Sequence, residues 1–345
     1  MTGPRTSLTS PVTEAAGERD PEQEGSGRLG RWGFLAPSRL GGLYVLILLF
    51  VVFSILRPET FPTALNIRTM LISQAFLGIA ALGLLFAAIN GYFDLSVGFL
   101  SGLVGVIVAT LSALNGWSAV PAIAVGMAVA VVVGIINGFL IVKVGVVSLI
   151  ATLGVGTLVS GLTLWISGGV VVFGMRDDLI AIGRARLFEV HLPVYIMLIM
   201  YAIAAYVLHA TATGKHMYAN GGNKSAARMA GIKTDRLSWV SLILSSTLAG
   251  VAGFLYLANI GAGSPEAGIE LLLPSVTAIF LGSTLIIPGK FNVAGTATGL
   301  ALLVVLINGI QQLGAPHWVQ PVFNGLALIT AVAVATLRGK GTNVI

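Results

Sequence analysis

Cysteine is absent from this 345-residue chain, and only 9% of its residues are charged. The first absence excludes disulfides, thiolate chemistry and cysteine-ligated metals. The histidines, His191, His209, His216 and His317, are scattered without metal-ligand spacing, so no metal site is expected. A phosphate-binding loop is missing too. Gly289-Lys290 comes nearest, but Phe291 stands where Ser or Thr would hold magnesium, and Thr284 stands where the first glycine belongs. What is abundant is apolar surface: 56% of residues are hydrophobic and the mean hydropathy is +0.95. Lipid is the solvent for such a chain. Because lipid satisfies no backbone polar group, the spans must be helices, and the fold class is all-α and polytopic. The net charge of +6 reads as membrane orientation rather than nucleic-acid binding, since the basic residues sit mostly in short loops between apolar runs.

Residues 1–38 are a different material, rich in Ser, Thr, Pro, Gly and Glu, and read as a disordered cytoplasmic tail. They are not read as a signal peptide, because the first apolar run begins near Leu40. Apolar runs then follow at 40–56, 67–89, 92–112, 119–142, 146–167, 193–210, 237–258, 270–286, 293–313 and 318–337. They predict about ten transmembrane helices in a domain of 39–338, with a cytoplasmic tail at 339–345. If both termini are inside, the inside loops carry Lys143, Lys215, Lys224, Arg228, Lys233, Arg236, Lys290, Arg338 and Lys340, while the outside loops are poorer or mixed in sign. The 44 glycines suit helices that pack closely, and some spans are expected to be broken or re-entrant. Gly126, Ala130 and Gly134 form one small-residue stripe. A weak echo links Ile136-Asn137-Gly138 with Ile307-Asn308-Gly309, 171 positions on. Were spans 2–5 and 7–10 related, they would run in opposite senses as an inverted repeat, with the path at its interface.

Two polar stretches interrupt the apolar pattern. In the first, Asp94 precedes an apolar span, where an ionised carboxylate facing hydrocarbon would be costly. It fits a helix cap whose oxygen accepts the N–H of Ser96 or Val97; substrate contact and proton coupling are the other readings. The second is the basic island 214–236. Lys224 to Met229 are mostly helix formers, Gly231 is a plausible stop, and Ala226, Ala227 and Ala230 give a small-side-chain face. A short helix with that face fits a cleft of another protein, with Lys224 and Arg228 meeting its acids. Gln74, Asn90, Ser96, Asn137, Asn308, Gln311 and Gln312 are polar positions inside or beside apolar runs. Uncharged groups of this kind suit the hydroxyls of a sugar or polyol along a path, and they equally suit hydrogen bonds between helices. Glu266 and Glu270 read as a solvated rim that touches a binding protein, with Arg176, Arg184 and Arg186 as rival docking charges.

The stretch Asp94-Leu95-Ser96-Val97-Gly98 resembles the Gly-Gly-Ile-Asp-Leu-Ser-Val-Gly signature of ribose-type sugar permeases of bacterial ABC importers, departing from it at Tyr92 and Phe93. Gly221 to Ile232 is similar to the same family's cytoplasmic segment, Gly-Gly-Asn-x-x-Ala-Ala-Arg-x-Ala-Gly-Ile, with Lys224 and Ser225 where a glutamate is usual. Gly289 to Thr296, followed by Asn308-Gly309, is a third match. The resemblance implies an inner-membrane permease subunit that pairs with a second copy or a homologue. Separate ATPase subunits, holding the ATP and magnesium, would grip the 214–236 segment through Gly221, Gly222, Asn223, Lys224, Ser225, Ala226, Ala227, Arg228 and Gly231. An extracytoplasmic sugar-binding protein would deliver substrate to the loops at 168–192 and 259–269. No cofactor and no covalent catalysis are expected in this chain. The rival reading is a secondary transporter in which Asp94 carries the coupling proton.

Overall fold

Each apolar run folds as a helix, as lipid requires. The computed structural model describes residues 37–339, with Gly3 alone before them. The helices are α1 (Pro37–Leu56), α2 (Ala64–Ile89), α3 (Ser96–Ala113), α4 (Ala119–Gly138), α5 (Ser148–Ser167), α6 (Asp177–Arg184), α7 (Leu192–Ala210), α8 (Ala212–Gly222), α9 (Lys224–Met229), α10 (Thr234–Ile260), α11 (Leu272–Leu285), α12 (Val293–Gln312) and α13 (Val319–Gly339). A π-helical stretch, Phe139–Val144, extends α4, and a small antiparallel hairpin of β1 (Arg186–Leu187) and β2 (Val190–His191) precedes α7. Among the described residues, seven helices are long and apolar enough to cross a membrane, and α1, α11 and α13 contain shorter apolar helices. The protein is an all-α polytopic membrane protein. The expected tails at 1–38 and 339–345 lie outside the described residues, except that Pro37, Ser38 and Gly339 are helical.

The 26 residues of α2 span about 39 Å at 1.5 Å per residue, and they define two ends of the bundle. At the Thr60 end, Thr60 Oγ1 donates to Gln312 Oε1 (2.8 Å), Arg68 pairs with Glu189 (2.7 Å), and Asp178 Oδ2 accepts the N–H of Ala119 (3.1 Å). At the Asn90 end, Asn220 Nδ2 donates to Asn90 Oδ1 (3.0 Å) and Tyr218 Oη donates to the Phe291 carbonyl (2.9 Å). The loops sort by charge accordingly. Lys143, Lys215, Lys224, Arg228, Lys233, Arg236 and Lys290 gather at the Asn90 end, with Asp235 and the buried Asp94 as its described acids. The Thr60 end mixes Arg57, Arg68, Arg176, Arg184 and Arg186 with Glu59, Asp177, Asp178 and Glu189.

The echo seen in the sequence is one thread of an inverted repeat that relates α2–α5 to α10–α13. Within each half, the second helix packs on the third and fourth: α3 on α4 and α5, α11 on α12 and α13. Between halves the first helices are exchanged, so α10 lies against α3 and α4 while α2 lies against α11 and α12. The exchange is fastened by matching hydrogen bonds. Ser101 Oγ of α3 donates to the Ala249 carbonyl of α10 (2.9 Å), and Ser275 Oγ of α11 donates to the Leu77 carbonyl of α2 (3.1 Å). Close contacts repeat as well. A Cβ on Gly126 of α4 would meet Val104 and Val108 of α3, and one on Gly299 of α12 would meet Ala278 and Gly282 of α11. Gly138 and Gly309 each lie under an aromatic ring, though of helices that do not correspond, Trp239 of α10 and Phe53 of α1. Corresponding positions are about 171 to 174 residues apart. Without a hydrophobic force between helices in lipid, such backbone approach and hydrogen bonding are what hold them together. The stripe Gly126, Ala130 and Gly134 belongs to this packing, pressed on α3 and α10.

Each half also breaks after its first helix. Gly91 and Gly261 both have φ of +84°, a conformation glycine adopts without the Cβ penalty of other residues, and each turns the chain back into the bundle. Residues 92–95 re-enter as non-helical chain, so α3 begins at Ser96 rather than at the 92 that hydropathy suggests. Residues 261–268 do the same from the other end, descending beside α3 until Gly268 touches Gly98 and Gly102, and a 3₁₀ turn at Ile269–Leu271 leads into α11.

Candidate coupling site

The 214–236 segment is more helical than a loop. Thr211 caps α8, its hydroxyl accepting the Gly214 N–H (3.3 Å). Asn223 then caps α9, its side-chain oxygen accepting the Ala226 N–H (2.9 Å). Beyond α9, Ile232 N donates to the Ala227 carbonyl (3.1 Å) and Gly231 N to the Arg228 carbonyl (3.0 Å). With Gly231 at φ +82°, this is a Schellman ending. A Cβ on Gly231 meets nothing within 4 Å, so the position demands backbone conformation, not space. Gly231→Ala should therefore fold with a stability loss of about 1 kcal/mol, read as a small drop in melting temperature, and Gly231→Asn should lose less.

The expected small face is divided. Ala227 is buried, whereas Ser225, Ala226, Met229 and Ala230 are exposed. Ala227 lies about 100° round the helix from Ala226, enough for one to face the protein and the other the surface, and Ala230 is already the cap beyond the last helical residue. Lys224 and Arg228 are not free charges either. Lys224 Nζ reaches Asp235 Oδ1 at 3.3 Å, Arg228 Nη2 reaches the same oxygen at 2.8 Å, and Arg228 Nε donates to Thr234 Oγ1 (3.3 Å). Asp235 lies in the first turn of α10, where an acid also complements the helix dipole. Lys224, Ser225, Arg228 and Met229 line an open cleft of about 550 Å³.

The two stretches singled out in the sequence are joined. A Cβ on Gly221 would collide with the Ile89 carbonyl, so the last turn of α8 rests directly on the end of α2. Beside it, Asn220 Nδ2 donates to Asn90 Oδ1 (3.0 Å) and to Ser238 Oγ (3.4 Å). Tyr92 Oη lies 2.9 Å from Ser238 Oγ and accepts from Lys224 Nζ (3.1 Å). Tyr92, where the sequence departs from the family signature, is thus a bridge between α9 and α10.

Deeper in the bundle, Asp94 is fully buried. Its Oδ1 accepts the Ser96 N–H (3.1 Å) and the Ser96 hydroxyl, and Asn137 Nδ2 donates to Ser96 Oγ (2.9 Å). The non-helical chain is pinned from α5: Ser148 Oγ accepts from Phe93 N (3.2 Å), and Thr152 Oγ1 accepts from Leu95 N (3.0 Å). Sequence reasoning missed these two hydroxyls, although their spacing of four places them on one helix face. Asn90, Ser96 and Asn137 are therefore internal fastenings. Asn308, Gln311 and Gln312 sit at the opposite, Thr60 end, where Gln312 Nε2 donates to Asn308 Oδ1 (3.2 Å) and Gln311 Nε2 to Gln320 Oε1 (2.9 Å). Asn308, Gln311, Gln320 and Ser73 line a cleft of about 230 Å³ there, and Gln74 on α2 is half-buried nearby. The seven polar positions do not form one continuous lining. Arg184, one of the rival docking charges, donates to the Asn259 and Ile260 carbonyls that end α10 (2.8 and 2.6 Å).

Comparison with known proteins accords with this architecture. The family described as "Branched-chain amino acid transport system / permease component" matches residues 66–332, which take in most of both halves of the repeat and both polar stretches. The ribose import permease protein RbsC of Escherichia coli (strain K12) is 32% identical over 296 residues, covering 85% of this chain and 92% of the relative. RbsC of Bacillus subtilis (strain 168) is 33% identical over 296 residues, 85% and 91% of the two chains. The D-allose transport system permease protein AlsC of Escherichia coli (strain K12) is 30% identical over 302 residues, 88% and 93% of the two. No solved structure matches. With the match extending over most of its length, the chain belongs to this family of transport-system permeases.

Proposed function

We propose that the chain is the membrane-spanning subunit of an ATP-driven importer that moves a sugar or polyol across the cytoplasmic membrane by alternating access. The substrate class follows the names of the ribose and D-allose relatives. On this reading the basic Asn90 end is cytoplasmic, as the positive-inside rule favours. The loops at 168–192 and 259–269 then face outward to receive a sugar-binding protein, and they are tied together by the Val172–Gly263 bridge. ATP and magnesium belong to separate ATPase subunits that seat the α8–α9 segment, and the permease pairs with a second copy or a homologue.

The observation that carries the proposal is the contact of α8–α9 with the break after α2. A partner that displaces α9 pulls on Lys224 and Tyr92, while α8 carries Asn220 and Gly221 against Asn90 and Ile89. Force applied at the surface thus arrives where α2 stops and the chain re-enters the bundle. A helix break buried in protein is the place where such a fold can change shape without exposing backbone to lipid. In the rival, proton-coupled reading, Asp94 must load and release a proton, yet its Oδ1 is engaged by Ser96 and its Oδ2 is buried with no hydrogen-bond partner among the described residues to pass the proton to.

The test is uptake of labelled D-ribose, D-allose or L-arabinose by vesicles carrying the permease, its ATPase and its binding protein. Uptake should persist when a protonophore collapses the proton gradient with ATP kept high, and should stop when ATP is removed. The opposite pattern would establish the secondary transporter.

A further inference from the structure

The inverted repeat places Glu266 where its partner half has Asp94: both follow the break-forming glycine of their half, Gly261 and Gly91, and both precede the second helix. The two acids are used differently. Asp94 is fully buried, its Oδ1 accepting from Ser96, whereas the exposed Glu266 carboxylate takes no hydrogen bond or ion pair from any described residue. It lines a cavity of about 170 Å³ with Phe99 of α3, Ser160 and Thr163 of α5, and Pro265 and Ile269 of the re-entrant segment. The cavity is below the ~300 Å³ typical of drug-sized ligands, a size for one small ring.

We propose that this cavity holds a single monosaccharide-sized polyol in transit, with Glu266 accepting hydrogen bonds from neighbouring hydroxyls. The proposal rests on the importer reading and names the substrate contact within it. A carboxylate offers acceptors only, in two oxygens, and so matches a pair of sugar hydroxyls acting as donors. The hydroxyl of Ser160 both donates and accepts, and the Phe99 ring and Ile269 supply the apolar wall that a sugar's C–H face needs. The charge is tolerable because Glu266 is exposed and lines the cavity instead of being sealed among apolar helices. Binding through so few groups is weak, as transit requires.

Because the chain has no cysteine, Ser160→Cys gives a single reporter thiol. The permease carrying it is reacted with a small methanethiosulfonate reagent in the presence of D-ribose, D-allose or L-arabinose. At least one sugar should slow labelling about threefold, as two-thirds occupancy requires, and adding Glu266→Gln should remove that protection. Ser225→Cys, on α9, should be labelled at the same rate with or without sugar. Failure of the thiol to react, absence of protection by all three sugars, or full protection in the Glu266→Gln background would overturn the proposal. ATP-dependent uptake by the unsubstituted complex is measured separately. Loss of that activity refutes the importer reading, while its presence without protection at Ser160→Cys refutes only the site.

Discussion

Gly221→Val should lower ATP-coupled uptake by more than about 100-fold, the scale on which a displacement of about 1 Å in a positioned element acts. The new Cβ would lie inside the Ile89 carbonyl, and backbone cannot yield there as the tip of a long side chain can. Helix α8 must therefore lift off the end of α2, taking Asn220 away from Asn90 and Ser238. ATP hydrolysis by the assembled complex should continue without matching transport, since α9 and its exposed surface are untouched. Gly325→Val on α13, away from this segment, provides the control: a Cβ at Gly325 meets nothing within 4 Å, and uptake should stay close to that of the parent. Equal uptake in both variants would remove the contact from the mechanism. Parallel measurement of hydrolysis and uptake in the same vesicles distinguishes uncoupling from failed assembly.

Asp94→Leu should abolish transport and destabilise the protein, whereas Asp94→Asn should retain most of both. Leucine leaves the Ser96 N–H and hydroxyl without their acceptor in a fully buried place. Each orphaned donor costs about 1–3 kcal/mol. Disorder at Ser96 then spreads to Asn137, which donates to the same hydroxyl. Asparagine keeps an acceptor oxygen and ranks with aspartate as a helix cap. Because Asp94 Oδ2 is buried without a hydrogen-bond partner, an amide nitrogen in its place forfeits no hydrogen bond. Thermal unfolding in detergent and uptake in vesicles report the two effects separately. A well-folded Asp94→Asn protein that transports nothing would return Asp94 to the role of proton carrier.

The spans were legible because twenty apolar residues in a row admit few alternatives in lipid. The start of α3 was not, since Tyr92, Phe93 and Leu95 are as apolar in re-entrant chain as in helix, and only the positive φ of Gly91 separates the cases. The helical character of Lys224 to Met229 and the stop at Gly231 could be read from propensity and glycine alone. Capture of Lys224 and Arg228 by Asp235 could not, because it depends on the Schellman turn folding α9 back toward α10. The polar positions looked like one set because each interrupts an apolar run. Their separation to opposite ends becomes visible only when helix direction is known. The repeat was faint for a related reason: it keeps where helices approach closely, as at Gly126 and Gly299, more than which side chains occur.

The exchange of first helices bears on how the protein is made. As the chain leaves the ribosome, α2–α5 enter the membrane while the place of α10 is still empty. The Ser101 hydroxyl and the glycine stripe of α4 then face lipid or neighbouring proteins. Helix α10, with Ser238, Ser241, Ser245 and Ser246 all destined for burial, must slide between helices already inserted, and only afterwards can α11–α13 close around α2. Neither half is a finished folding unit. Synthesis therefore ends in an interlock, and a chain halted after α7 would present its quality-control machinery with a bundle that has a helix-wide gap at its centre.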